Sequence, residues 1–246
     1  MWQGNRREPG GSASAAWLAL LVSVIVYGNA GEAQAQQREA CMTVGALGMK
    51  DMGPDGLKSE AEVEVYEQQI AGAERKEVMA RGLIDAPSWQ VLAAILDYDN
   101  YEEFMPYTVE SRTIRKAEGA ITVLQRLEFS KVAFFLSQRI YVIDVLYEEK
   151  VHQNYPVAWT LADDSSQLPS REGVVPVVND GYWELVPIGD GAQTLASYCV
   201  DTDPGGFIPA FVANFATSNA LPEVIEAVRA RVKSHAYDSF APQTGG

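Results

Sequence analysis

The sequence predicts an α+β domain in which a curved antiparallel sheet packs against a long C-terminal helix. Three observations carry this expectation. From Tyr107 to about Asp201 the chain reads as short β-branched or aromatic runs separated by turn signals. One helical stretch near Trp89 precedes those runs, and an apolar stripe at helical spacing, from Ile208 to Val232, follows them.

Taken in order, Glu60 to Ile70 and Lys76 to Asp85 read as a hairpin turning at Ala71-Gly72-Ala73. Asp85 is then a plausible N-cap for a helix that carries Pro87 in its first turn, where the missing N–H is not needed. Trp89, Leu92, Ala93 and Leu96 share one side of that helix, which resumes at Tyr101 to Met105 and stops at Pro106. The strand runs are Thr108 to Ala117, Ile121 to Ser130, Ser137 to Glu149, Val157 to Ala162, Gly173 to Val178, Tyr182 to Ile188 and Gln193 to Asp201. Ile121, Val123, Leu127 and Phe129 alternate with Thr122, Leu124, Arg126 and Glu128, the pattern of a sheet with one drier face. Ile208, Phe211, Val212 and Phe215 begin the last stripe, which Leu221, Val224, Ile225, Val228 and Val232 continue. Pro222 removes an internal hydrogen bond and should kink or restart that helix. Run straight, residues 208–235 would extend about 42 Å, enough to cross a whole sheet.

The N-terminus reads as an export signal. Arg6 and Arg7 precede a charge-free run from Ala15 to Tyr27, and Ala33-Gln34-Ala35 offers the small residues of a cleavage site. Residues 1–35 are thus a signal peptide by this reading, with an uncleaved anchor as the alternative, and the expected location is periplasmic or secreted. The apolar run is too short for the roughly 18 residues a span needs. Residues 36–59, rich in Gly, Met and Ala, form a flexible arm, 60–236 one folded domain, and 237–246 a tail.

A formal charge of −14 repels phosphate backbones and argues against a nucleic-acid partner. Cys41 and Cys199 are the two cysteines, able to pair in an oxidising compartment only if their Cα atoms approach within about 7 Å. His152 and His235 are far apart and no CxxC or HExxH occurs, so neither a metal nor another cofactor is expected.

Three stretches carry a family resemblance. Asp97-Tyr98-Asp99-Asn100-Tyr101-Glu102-Glu103-Phe104-Met105-Pro106 looks like the end of the first helix in START and coenzyme Q-binding proteins. Ser137-Gln138-Arg139-Ile140-Tyr141-Val142 is similar to that group's Arg-Asp-Phe/Tyr-Val strand. Gly181-Tyr182-Trp183-Glu184-Leu185-Val186-Pro187, with Asp203-Pro204-Gly205-Gly206-Phe207-Ile208-Pro209, resembles its final strands and helix entry. The chain from about residue 60 to 235 thus resembles the START-like (SRPBCC, helix-grip) superfamily, in its bacterial coenzyme Q-binding/START branch. It departs at Ile140, where an acidic residue usually follows the arginine, and at Pro176, which demotes its strand toward an edge.

The resemblance implies a helix-grip fold, its sheet wrapped around the last helix, with a cavity between them. It also implies a role in binding a hydrophobic small molecule (lipid, sterol or isoprenoid/quinone) for transport or sequestration in the cell envelope, without catalysis. Arg139 resembles the charged residue that reaches into such cavities to meet a ligand's polar head, although an ion pair with Glu128 or Asp144 explains it equally. Phe211, Val212 and Phe215 would line the inner face of the last helix. Trp89, Tyr141, Trp183 and Tyr198 complete the candidate ligand-binding set, each also readable as core. Phe134, Phe135 and Leu136 form an apolar run between strands, suited either to transient membrane contact or to folding back onto the core. The acidic cluster Asp97, Asp99, Glu102 and Glu103 reads as a solvated helix exit. Two other classes stay open: a polyketide cyclase/aromatase-like enzyme of the same superfamily, with Tyr141, Tyr198, Asp144 and Glu184 as the candidate acids and bases, and a protein-interaction module.

Overall fold

A computed structural model describes residues 62–70, 76–129, 138–148, 155–162, 168, 173–206, 219–234 and 236–237. Strands β1 (Val63–Gln69) and β2 (Lys76–Ile84) lead to helix α1 (Ser88–Ile95), a single 3₁₀ turn (Tyr98–Asn100) and the short α2 (Tyr101–Phe104). There follow β3 (Thr108–Ala117), β4 (Ala120–Leu127), β5 (Arg139–Tyr147), β6 (Val157–Leu161), β7 (Val178–Ile188), β8 (Gln193–Asp203) and helix α3 (Leu221–Lys233). All eight strands make one antiparallel sheet in the order β1-β2-β8-β7-β6-β5-β4-β3. This is the curved sheet and C-terminal helix that the sequence predicts.

The period-two alternation of the strands sorts their side chains into two faces. Val78, Ala80 and Ile84 of β2, Ile121 and Val123 of β4, Tyr141, Ile143 and Val145 of β5, and Trp183 and Leu185 of β7 point to one side. There they meet Val91, Leu92, Ala94 and Ile95 of α1 and Leu221, Ile225, Val228 and Val232 of α3. The opposite face is not simply wet. Leu124, Ile140 and Val142 lie on it and are as buried as their inward neighbours, so the drier-face expectation holds only for the sign of the difference. A second apolar cluster on that outer face joins Met79, Ala158, Tyr182 and Cys199, with Tyr66 against it. Cys199 is disulfide-bonded, and the chain's other cysteine, Cys41, lies outside the described residues.

Helix α3 comes closest to the sheet at Gly82. A Cβ there would stand 2.7 Å from Arg229 Nη2 and 2.9 Å from Ile225 Cγ2, so the strand must present bare backbone. Arg229 uses that approach to donate to the Leu83 carbonyl at 2.8 Å and the Glu62 carbonyl at 3.1 Å, and it pairs with Glu226 at 2.6 Å. Pro222 occupies the first turn of α3, directly after a π-helical turn at 219–220, so the α-helix restarts there. The upstream stripe of Ile208, Phe211, Val212 and Phe215 lies outside the described residues, as do Phe134, Phe135 and Leu136.

Two local expectations are corrected. Asp85 does not cap α1: the N-cap is Pro87 with no side-chain bond, and Ser88 Oγ instead bonds Thr194 Oγ1 at 2.9 Å, which donates to the Ala86 carbonyl at 2.7 Å. Gly173 to Val178 is not a full strand. Val174 makes a parallel bridge to Arg139, with Ile140 N–H on the Val174 carbonyl and Val174 N–H on the Gln138 carbonyl, and β7 starts at Val178.

The acids after α1 are solvated as expected, with Asp99, Glu102 and Glu103 exposed, and they also bond other elements of the fold. Asp99 accepts from the Thr113 N–H at 2.5 Å and Glu102 from the Ser111 N–H at 3.2 Å, closing two donors on the free edge of β3. Arg231 of α3 reaches Asp97 at 3.0 Å and Glu103 at 2.9 Å, with its guanidinium 4.8 Å from the centre of the Phe104 ring. Tyr237 donates to Asp97 at 2.5 Å and accepts from Arg231 Nε at 2.9 Å. Among the described residues no helix is long and apolar enough to cross a membrane, and no group of His, Cys, Asp or Glu is arranged to hold a metal ion.

Candidate functional site

The concave face of the sheet carries a wall of large rings. Trp159 of β6, Trp183 of β7 and Tyr198 of β8 share that face, as the register Val157↔Trp183 and Trp183↔Tyr198 requires. The Tyr198 ring stacks on Trp159 at 5.5 Å and tilts against Trp183 at 4.6 Å. Trp159 lies over Gly181, the only residue type that leaves room for it there. Trp183 is buried, whereas Tyr198 keeps part of its surface open.

A row of neutral polar side chains crosses the same face. Ser111 of β3 stands opposite Gln125 of β4, and Gln125 opposite Tyr141 of β5. The Tyr141 hydroxyl hydrogen-bonds Asn179, two residues before Gly181 on β7. Tyr98 and Tyr101, 4.7 Å apart between ring centres, face the row from the helical side, and Tyr101 donates to the Ile95 carbonyl at 2.5 Å. Ser111 is 3% exposed, and its Oγ is buried without a hydrogen-bond partner.

Burial pushes these phenols up. Tyr198 rises to about 12 from burial alone, and Tyr98, Tyr101 and Tyr141 rise further, burial first and the neighbouring tyrosines second. All are therefore neutral hydroxyls at physiological pH, able to donate and accept. The stability consequence has a definite sign. A group whose folded pKa exceeds its unfolded value near 10 contributes stability fully below pH 10 and loses it as pH rises through about 12. Tyrosinate absorbance is therefore expected to rise together with loss of circular dichroism between pH 10 and 12. Titration of these phenols in a chain that keeps its native spectrum would contradict their buried placement.

Arg139 lies next to this row, and it is already engaged. It is 3% exposed, with Nε donating to the Pro204 carbonyl at 3.1 Å and Nη2 to the Gly205 carbonyl at 3.0 Å. Burial lowers its pKa from the ordinary arginine value. The expected partners are used elsewhere: Asp144 accepts from Thr122 at 2.6 Å and lies 3.6 Å from Arg115, and Glu128 accepts from Gln138 at 3.0 Å. Of the sequence-named candidates, the structure brings Tyr141, Trp183 and Tyr198 to the concave face, with Arg139 at its margin. Trp89 is half-buried on α1 and outside the concave apolar cluster. Phe211, Val212 and Phe215 lie outside the described residues.

Sequence reasoning missed Trp159, Tyr98, Ser111, Gln125 and Asn179. One signal was present. Gln125 breaks the apolar row of Ile121, Val123, Leu127 and Phe129 at the position where an apolar residue is due. Trp159 could be placed only by knowing that Gly181 faces it.

Comparison with known proteins decides the relationship. A family model described as polyketide cyclase / dehydrase and lipid transport matches residues 84–229, more than half of the chain. The chain belongs to that family. Solved structures agree on the fold of this family member. A STAR-related lipid transfer protein from Xanthomonas axonopodis superposes with a TM-score of 0.62 at 21% identity, covering 72% of this chain and 96% of its own. Human StAR-related lipid transfer protein 5 gives 0.65 at 15%, covering 82% and 97%. The Zhui aromatase/cyclase from Streptomyces sp. R1128 gives 0.51 at 12%, covering 69% and 98%. A search of curated proteins gives no match. The helix-grip fold of this START-like chain is thus established, and it is consistent with binding a hydrophobic ligand.

Proposed function

We propose that this protein is a non-catalytic carrier that holds a hydrophobic small molecule between its sheet and its C-terminal helix, in the periplasm or outside the cell. The observation that carries the reading is the aromatic wall on the concave face, where the Tyr198 ring stacks on Trp159 and tilts against Trp183. Sites for apolar ligands are concave, lined by aromatic and aliphatic side chains, with few polar groups. Membership of a family whose model is described by both lipid transport and cyclisation agrees with it. A cyclase would need a general base at that wall, and the polar row offers neutral hydroxyls and amides, with phenols held protonated by burial. Export is supported by the leader and by the bonded state of Cys199, which suits an oxidising compartment.

Each alkyl methylene moved from water to such a wall is worth roughly 0.8 kcal/mol, so ten give about 8 kcal/mol before ordering costs, near micromolar affinity. Native mass spectrometry of the exported protein is expected to show a bound lipid, or uptake of one from a panel of sterols, quinones, fatty acids and phospholipids. A well-folded protein that carries none and binds none sinks the carrier reading. The same spectra are expected to show a mature chain starting near Gln36 without free thiols, and retention of Trp17 would sink the cleavage claim.

A further inference from the structure

We infer that the ligand carries an uncharged oxygen function, a hydroxyl or a carbonyl, and that the row of Ser111, Gln125 and Tyr141 receives it. The inference rests on the carrier reading and names the chemistry its site selects. Three observations support it. First, the polar row is neutral along its whole length: Gln125 has Ser111 opposite it on one side and Tyr141 on the other, and Asn179 bonds the Tyr141 hydroxyl. Second, the row has unspent hydrogen-bonding capacity. Ser111 Oγ is buried without a partner. A buried hydroxyl left unpaired costs free energy, and a bound oxygen removes that cost. Third, the cation beside the row, Arg139, spends donors on the Pro204 and Gly205 carbonyls. A carboxylate or phosphate placed against neutral donors in a desolvated wall would lose hydration without gaining an ion pair.

The test uses matched ligands with the same apolar body: hexadecanol against palmitate, and cholesterol against cholesteryl sulfate, titrated into the full-length mature protein. The neutral member of each pair is expected to bind at least tenfold more tightly. Tyr141→Phe is expected to reduce hexadecanol affinity severalfold. Ser111→Ala is expected to do the same while raising the urea midpoint of the ligand-free protein, because the change deletes an unpaired buried hydroxyl. A residue with a purely structural role would not lower affinity and raise stability together. Equal or tighter binding of palmitate and cholesteryl sulfate overturns the inference and leaves the carrier reading standing. Failure of the wild-type protein to bind any of the four overturns both. Unchanged hexadecanol affinity in both variants also overturns the inference, since the oxygen would then lie elsewhere.

Discussion

Replacing Arg139 with Ala is expected to lower folding stability by about 3 kcal/mol or more, a large share of what a domain of this size possesses. Hydrogen bonds to a charged group contribute about 1.5–3 kcal/mol each. Arg139 makes two of them, from Nε and Nη2, to the Pro204 and Gly205 carbonyls. The guanidinium ties the start of β5 to the turn beyond β8, two places 65 residues apart in sequence. Arg139→Lys should recover little, because one ammonium cannot reproduce two directed donors from a planar fork. Urea denaturation of the ligand-free protein checks both variants. Were Arg139 a headgroup contact, Arg139→Ala would keep the wild-type midpoint and lose only affinity, and that result would remove the tie described here.

Gly181→Ala is expected to cost about 1–3 kcal/mol, the range for forcing extra volume into a packed site. A Cβ at Gly181 would fall on the Trp159 ring, at Cζ2, Cη2 and Cε2, so the indole must leave its place. The Tyr198 ring stacked on it would move too, altering the near-ultraviolet circular dichroism. Trp159→Ala alone should cost about 3–5 kcal/mol as a large-to-small core change. In that background, however, Gly181→Ala should become nearly neutral, since the clash is gone. The pair is thus expected to be strongly non-additive in a double-mutant cycle. Simple additivity of the two would mean that the ring does not sit over Gly181.

The element order was legible because it rests on local pattern: alternation for strands, a three-to-four spacing for helices. β3, β4, β5, β6 and β8 fall within a few residues of where those patterns put them. What escaped depended on contacts between distant segments. Gly173 to Val178 has the composition of a strand, yet Val174 finds only the short parallel bridge beside Arg139. The acids from Asp97 to Glu103 are mostly solvated as read, but their partners, Arg231, Thr113 N–H and Ser111 N–H, sit on other elements and were not legible. Tyr198 and Trp183 were readable as apolar strand positions, but Trp159 and Ser111 join the site only through register. The family's remaining candidate surfaces, Phe211 to Phe215 and Phe134 to Leu136, lie outside the described residues.

The strand order also sets a timetable. Every pairing but one joins strands adjacent in the chain; the exception places β2 beside β8, matching Glu77 with Asp201. The β1–β2 hairpin leaves the ribosome early but is marginal alone, and its partner edge is among the last segments made. Closing that seam carries the entropy of a long loop, and topologies rich in such contacts fold in milliseconds to seconds. A chain built this way stays open until its C-terminal third has emerged. Such delay is compatible with the export proposed above.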